Sequence, residues 1–293
     1  AVLLTGQILS SAPQNRIGGP NVGQRNIISG NVLDGIAITN RAAFGNVIAG
    51  NYIGLGLTGL FAVPNGGDGI SIQNAPSNIV GTATNYIAGN GSDGLRIQGS
   101  NAVGNIVVGN VIGLGSAGNA VSNGYNAITI LNASSNTIGG ITISDKNVLS
   151  GNGQGGVFIG GANAYGNTIQ GNLIGTTISG LGVRPNGGDG VTLMDSPQNV
   201  IGSTNAGGRN VISGNNQGGV RIVGPSASGN QIIGNYIGTD VFGSLALTNG
   251  RDGVVVADAP NNTIGGSDLG TRNIISGNGY SGISITGIAS TGN

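Results

Sequence analysis

The chain of 293 residues lacks cysteine, histidine and tryptophan, and all ten of its acidic residues are aspartate. Without cysteine it forms no disulfides, so thiol chemistry gives no clue to its compartment. The absence of histidine, cysteine and glutamate removes the usual zinc ligands and most acid–base catalysts. Only 7% of the residues are charged, with a net charge of zero, which excludes the basic footprint of a nucleic-acid-binding protein.

Long apolar runs and strong helix formers are also scarce. No run approaches the roughly 20 apolar residues that a membrane-spanning helix needs, so we expect no membrane span. Glutamate is absent and lysine occurs once, at Lys146, which disfavours helices. Isoleucine, valine and threonine are abundant and favour strands. The 62 glycines predict frequent tight turns between those strands.

One phrase recurs along the whole chain, and its recurrence indicates architecture rather than a catalytic motif. It reads RNIISGN at 25, KNVLSGN at 146, RNVISGN at 209 and RNIISGN at 272. Between these copies lies a second version of the unit, so the working repeat is about 31 residues. Odd units carry an insertion between their first and second strand patterns, whereas even units carry one between the second and third.

Each unit contains three short strand patterns and cannot bury its apolar face alone, although stacked copies can. We therefore predict an all-β fold, a right-handed parallel β-helix (a solenoid) of about nine coils with three short strands each. The prediction treats residues 1–293 as a single β-helix domain. The nine coils begin at Asn15, Asn46, Asn78, Asn105, Asn136, Asn167, Asn199, Asn230 and Asn262.

A column of asparagines is expected at one corner of the coils. A buried amide there can donate to one neighbour and accept from the next while satisfying turn backbone. We interpret this column as a structural ladder rather than a binding site. Its members are Asn26, Asn51, Asn85, Asn110, Asn147, Asn172, Asn210, Asn235 and Asn273.

A second column precedes the glycine that opens the third strand. It holds Asp34, Asp68 and Asp93 in three successive coils, and like charges stacked there repel. Either the loops splay these acids into solvent as turn caps, or a hard cation such as Ca²⁺ is shared among them. Any metal site is expected at these three residues, because glycine and serine dilute the acids further along. The later members are Asn126, Gly155, Asp189, Gly218, Asp252 and Ser281.

The segments NGGDGVTL, NVIGS, GGRNVISGN, GGVRIVG and GNQIIGNYIGT resemble the parallel β-helix repeats of large bacterial surface and secreted proteins. Those repeats are distant relatives of the pectate-lyase-like β-helices. The resemblance covers essentially the whole chain and implies an extracellular or cell-surface location. It does not fix a function, because the same scaffold serves lyases, hydrolases, adhesins and structural rods.

No coil is chemically distinctive enough to predict catalysis. Asp189 and Asp195 flank one strand, as do Asp252 and Asp258, so each pair offers two candidate carboxylates. Asp195 and Asp258 align with Asn74 and Asn132, however, so their position fits an Asx-type turn. Arg96 and Arg221 point outward, four coils apart. We therefore predict a non-catalytic structural or adhesive solenoid. The alternative is a polysaccharide-active enzyme, a lyase or hydrolase, on the same scaffold, and enzymatic activity remains an open question.

Two further stripes, one basic and one apolar, are candidate contact surfaces for binding partners. Basic residues precede the corner asparagine in odd coils, as Arg25, Lys146, Arg209 and Arg272. They either tie down a loop or face a partner such as an anionic glycan. An apolar stripe follows the same asparagines and is either covered by the even-coil loops or left as a lateral contact surface. It comprises Ile27, Tyr52, Tyr86, Val111, Val148, Leu173, Val211, Tyr236 and Ile274.

The two ends show no polar capping element, which a solenoid needs to avoid edge-to-edge pairing. We therefore expect the chain to be a fragment or repeating portion of a longer rod or filament. Self-association, end to end or laterally, is expected, with a glycan as a further partner. No cofactor other than the Ca²⁺ considered above is expected.

Overall fold

The computed structural model describes residues 2–5 and 12–293, and it confirms the predicted parallel β-helix. Within those residues three parallel sheets contain nine, nine and ten strands. Each strand pairs with its equivalent in the next coil, so every coil contributes one strand to each sheet. Here sheet 1, sheet 2 and sheet 3 contain the first, second and third strands of the coils.

The strands are short, as the dense turns require. Sheet 1 contains Arg16–Gly18, Val47–Ala49, Ile79–Val80, Ile106–Val107, Thr137–Gly139, Thr168–Gln170, Val200–Gly202, Gln231–Ile233 and Thr263–Ile264. Sheet 2 contains Ile27–Ile28, Tyr52–Ile53, Tyr86–Ile87, Val111–Ile112, Val148–Leu149, Leu173–Ile174, Val211–Ile212, Tyr236–Ile237 and Ile274–Ile275. Sheet 3 contains Val2–Thr5, Ile36–Thr39, Ile70–Gln73, Leu95–Gln98, Ile128–Leu131, Val157–Gly160, Val191–Met194, Val220–Val223, Val254–Ala257 and Ile283–Thr286.

One continuous core of aliphatic side chains runs along the axis. In sheet 3 the first and third residues of a strand point inward, as Ile70 and Ile72 do, and the register is kept from coil to coil. Like side chains therefore stack on their own kind, which buries apolar area in every coil. Glycine is required where the chain turns tightly. At Gly54 (φ +81°) a Cβ would overlap the carbonyl oxygen of Ala88.

The insertions of the two coil types have distinct structures. Odd coils form single-turn 3-10 helices between sheets 1 and 2, at Val22–Gln24, Ile143–Asp145, Ala206–Gly208 and Leu269–Thr271. The third coil has no such helix in its shortened loop. Even coils form small hairpins, each closed by one antiparallel bridge: Leu55 to Ala62, Leu114 to Ala120, Thr176 to Val183 and Thr239 to Ala246.

The hairpins fold over sheet 2 and cover most of the apolar stripe, as one of the two sequence-based alternatives predicted. Val111, Val148, Leu173 and Val211 form a second buried cluster outside the main core, together with Leu114 of a hairpin. Loop burial therefore accounts for most of the stripe, and Ile27 in the first coil stays exposed. The described residues include no helix long and apolar enough to span a membrane.

Candidate functional site

The predicted corner asparagines lie in one column between sheets 1 and 2 and are linked by hydrogen bonds. Asn210 shows the pattern in a fully buried position. Its Oδ1 accepts from the backbone N–H and the Nδ2 of Asn172, at 2.9 and 3.0 Å. Its Nδ2 donates to the carbonyl of Ile169 at 2.8 Å and to Oδ1 of Asn235 at 2.9 Å. Donor and acceptor are thus both satisfied within the column.

Two more amide columns occupy the other corners, and these two ladders were not predicted from the sequence. The asparagines that set the repeat form one, with Asn46 Nδ2 donating to Asn78 Oδ1 at 2.9 Å. The other lies between sheets 2 and 3, where Asn90 Nδ2 donates to Asn123 Oδ1 at 2.8 Å. The same period of about 31 residues could have identified these two columns from the sequence. The members of the last column are Asn31, Asn65, Asn90, Asn123, Asn152, Asn186, Asn215, Asn249 and Asn278.

The structure brings Asp34, Asp68 and Asp93 together on successive coils. Oδ1 of Asp34 accepts from the backbone N–H of Asp68 at 2.8 Å, and Oδ1 of Asp68 accepts from that of Asp93 at 3.0 Å. Oδ1 of Asp93 accepts from the N–H of Asn126 at 2.9 Å. Each carboxylate therefore caps the turn of the next coil. Among the described residues, no group of three acidic side chains is arranged to hold a metal ion.

Burial makes this column electrostatically unusual. Asp68 and Asp93 are only 7% and 4% exposed. Burial, followed by the neighbouring charge of Asp93, raises the pKa of Asp68 to about 7. Burial also raises the pKa of Asp93, although hydrogen bonds from Asn126 and the charge of Arg96 oppose the shift. The Asp68 carboxyl is therefore poised to change charge near neutral pH.

Asp93 belongs to a groove on the outer face of sheet 3. The cavity measures about 440 Å³, within the range of small-ligand sites. Nη1 of Arg96 lies 3.7 Å from Oδ2 of Asp93, and Nε of Arg96 donates to Gln98 at 2.8 Å. Tyr125 and Phe158 line the groove beside this ion pair. The groove thus combines aromatic surface with a cation and with hydrogen-bonding groups.

The other candidate carboxylates act as turn residues. Asp195 and Asp258 have positive φ angles of 49° and 50°, a conformation that aspartate tolerates in turns. Their Oδ1 atoms face backbone N–H groups of the next coil, at 3.3 Å for Ser226 and 3.4 Å for Ala289. This supports the Asx-turn interpretation over a catalytic pair.

Comparison with known proteins was made at three levels. No protein-family model matches the chain, and no curated protein sequence matches it significantly. Among solved structures, the Dettilon tailspike protein is 19% identical with a TM-score of 0.52, and the match covers 88% of this chain and 51% of the tailspike. The likeness is one of fold, and this chain is a parallel β-helix.

Two further structures show a weaker likeness to this β-helix. The periplasmic alginate epimerase AlgG is 12% identical with a TM-score of 0.49, and the match covers 89% of this chain and 58% of the epimerase. PfbA, a surface adhesin of Streptococcus pneumoniae, is 11% identical with a TM-score of 0.32, over 97% and 78% of the two chains. The β-helix thus spans between half and three fifths of the tailspike and the epimerase.

The basic stripe of the β-helix divides into two kinds of residue. Arg25 and Arg209 are held in place, because each guanidinium lies 4.1 Å from the ring centroid of Tyr52 or Tyr236 in the next coil. Their Nε atoms also donate to the carbonyls of Gly50 and Gly234. These two arginines tie down their loops. Lys146 has Leu173 as the equivalent neighbour in the next coil, so it has no ring to stack on.

Proposed function

We propose that this chain is a non-catalytic, structural or adhesive β-solenoid, located outside the cell or on its surface, that holds a glycan in the groove of sheet 3. The observation that carries the proposal is the continuous pairing of sheet 3, in which every strand from Ile36–Thr39 to Ile283–Thr286 pairs in register with the next. The groove is the chemically distinctive surface on that scaffold. The solved tailspike and the surface adhesin are compatible with such a role.

The groove chemistry suits a sugar. Tyr125 is about half exposed, and its ring and that of Phe158 offer apolar faces against which a pyranose can pack. Arg96 supplies guanidinium donors for hydroxyl or carboxylate oxygens, whereas Nδ2 of Asn126 is already engaged with Asp93 and Thr129. Because Arg96 is already paired with Asp93, it is oriented before any ligand arrives.

Binding to a panel of neutral and acidic polysaccharides tests this proposal. We expect retention on at least one polysaccharide without any increase in reducing ends or unsaturated products. Tyr125→Ala should weaken that binding by about fivefold. Tyr280→Ala, which removes an exposed tyrosine far along the rod, is the matched control and should bind like the wild type. Turnover of any polysaccharide would contradict the non-catalytic assignment.

A polysaccharide-active enzyme is the second candidate, and the Asp68–Asp93–Arg96 cluster favours it. Burial raises the pKa of the Asp93 carboxyl at the groove, and a raised pKa favours a general acid. On this alternative, Asp93→Asn would abolish turnover while the glycan is still bound. The same polysaccharide panel therefore separates the two functions.

Self-association belongs to the proposal as well. The even-coil hairpins carry exposed apolar side chains, with Phe61 and Phe242 both 72% exposed, and a lateral contact with a second copy of the chain would bury them. Sedimentation velocity should show larger species as concentration rises, and Phe61→Asp should suppress them. Concentration-independent monomers would contradict this part.

A further inference from the structure

A hollow on the sheet 2 side of the rod marks the place where the repeat is broken. The third coil lacks the insertion that the other odd coils carry, so nothing fills the space above Tyr86 and Val111. The cavity there measures about 430 Å³. One repeat further along, where the Ala206–Gly208 insertion is present, the corresponding cavity is only about 210 Å³. The missing insertion therefore leaves a cavity about twice as large as the one beside a complete insertion.

The floor and walls of this hollow are aliphatic. Val111, Val148 and Leu173 form the floor and belong to the buried cluster beneath the hairpins. Ile143, at 89% exposure, stands on one wall, and Ile178 of a hairpin stands on another. Exposed isoleucines facing each other across a cavity would lose water contact when an apolar body lies between them.

Lys146 supplies a charge at the rim. Its equivalents Arg25 and Arg209 are held by a tyrosine ring and a glycine carbonyl. In the described part of the chain, the ammonium group of Lys146 has neither an ion pair nor a hydrogen bond. The nearby acid Asp145 is engaged instead with Thr142, accepting from its hydroxyl at 2.6 Å. The cation is thus available to a ligand.

We propose that this hollow binds a small amphipathic carboxylate, with an aliphatic chain on the Val111–Val148–Leu173 floor and the carboxylate on Lys146. The volume fits a chain of medium length. An aliphatic body matches the aliphatic floor, and an anionic head matches the rim charge. This site lies on a different sheet from the glycan groove and does not depend on it.

Titration of isotope-labelled protein with decanoate tests the site by methyl NMR. We expect saturable shifts at Val111, Val148 and Leu173, with the methyl groups of Val254, in sheet 3 of the eighth coil, unchanged. Decanol and acetate separate the two parts of the ligand, because each keeps only the chain or only the charge. Both should bind more weakly than decanoate.

Two substitutions and their controls make the test specific. Lys146→Met keeps the length of the side chain and should weaken decanoate binding about twofold to fivefold, while decanol binding stays the same. Ile143→Ser should weaken both ligands. Arg251→Met and Val22→Ser, which alter an exposed arginine elsewhere and the equivalent residue of the first 3-10 helix, should bind like the wild type.

Three results would overturn the proposal. The first is an absence of saturable shifts with decanoate in the wild-type protein. The second is decanoate binding that neither Lys146→Met nor Ile143→Ser changes. The third is self-association that Ile143→Ser abolishes in the absence of decanoate binding, because it would assign the hollow to a contact between copies. All exchanged side chains are at the surface, so thermal melts are expected to show that the variants remain folded.

Discussion

The amide columns at the corners and the aspartate column before sheet 3 both link adjacent coils by hydrogen bonds, but with different side chains. Both place a side-chain oxygen where it accepts a backbone N–H of an adjacent coil, which is the preceding coil for Asn210 and the following coil for Asp68. Asparagine also donates, so Asn210 can pass a hydrogen bond forward to Asn235. Aspartate only accepts when ionised, so consecutive copies bring like charges together. An amide column can therefore continue through every coil at no electrostatic cost.

The spacing of the acids in the aspartate column changes along the rod, as the repulsion between stacked carboxylates leads one to expect. In the first three coils it holds three consecutive acids, and the pKa of Asp68 and that of Asp93 are raised. From the fifth coil onward, Asp189 and Asp252 are separated by glycine, and each still caps the next coil, accepting from Gly218 at 2.7 Å and from Ser281 at 2.9 Å. Spacing the acids keeps the cap while avoiding the repulsion.

The largest loss of stability is expected when an aspartate replaces an asparagine of an amide column. Asn210→Asp would put an ionised oxygen against the carbonyl of Ile169 and Oδ1 of Asn235, where Nδ2 now donates. We expect the free energy of unfolding to fall by about 3–5 kcal/mol at pH 7.5. The loss should be smaller at pH 4.5, because a protonated carboxyl can donate one of the two hydrogen bonds. Urea denaturation at both pH values measures it, and an equal loss at both would contradict the charge argument.

The reverse exchange, Asp68→Asn, should stabilise the protein at high pH. The pKa of Asp68 is raised in the folded state from 3.8 to about 7, so the folded protein binds the proton more tightly than the unfolded chain. The wild type is therefore favoured below pH 4 and loses up to about 4 kcal/mol as the pH rises through 7. Asp68→Asn should remove that loss, giving a large gain at pH 8 and little change at pH 4.

A matched control for this exchange lies in the second half of the same column. Asp252→Asn changes an aspartate whose column neighbours are Gly218 and Ser281, so no acid stacks on it. We expect its effect on the unfolding free energy to stay within about 0.5 kcal/mol at both pH values. A pH-dependent gain as large as that of Asp68→Asn would show that stacking of acids is not the cause.

A smaller loss is expected when one amide is deleted. Asn210→Ala leaves the backbone N–H of Asn172 and the carbonyl of Ile169 without their partners. Each is buried, so we expect a cost of about 1–3 kcal/mol. Thermal or urea unfolding measures this cost, and an unchanged stability would show that the ladder does not contribute to it.

The sequence was sufficient for the fold because its signal is repeated in every coil. A period of about 31 residues and the alternation at residues such as Ile70 and Ile72 identify nine coils and three sheets without any long-range information. The function-related surfaces are harder to predict for the same reason. The pairing of Arg96 with Asp93 and the lack of a partner for the Lys146 ammonium depend on which side chains face each other across coils. A residue that departs from the repeat in one coil does not reveal which side chains will be its neighbours.

The smallest effect is expected from calcium. Asp34, Asp68 and Asp93 were the predicted cation ligands, but each Oδ1 atom already caps a backbone N–H, and Oδ2 of Asp93 faces Arg96. Ca²⁺ prefers six to eight oxygen ligands, and a guanidinium beside the acids opposes a second cation. We therefore expect neither excess Ca²⁺ nor a chelator to shift the thermal melt at pH 8, which lies above the pKa of Asp68. A Ca²⁺-dependent rise in the melting temperature that Asp68→Asn abolishes and Asp252→Asn preserves would instead assign the cation to the acids of the first three coils.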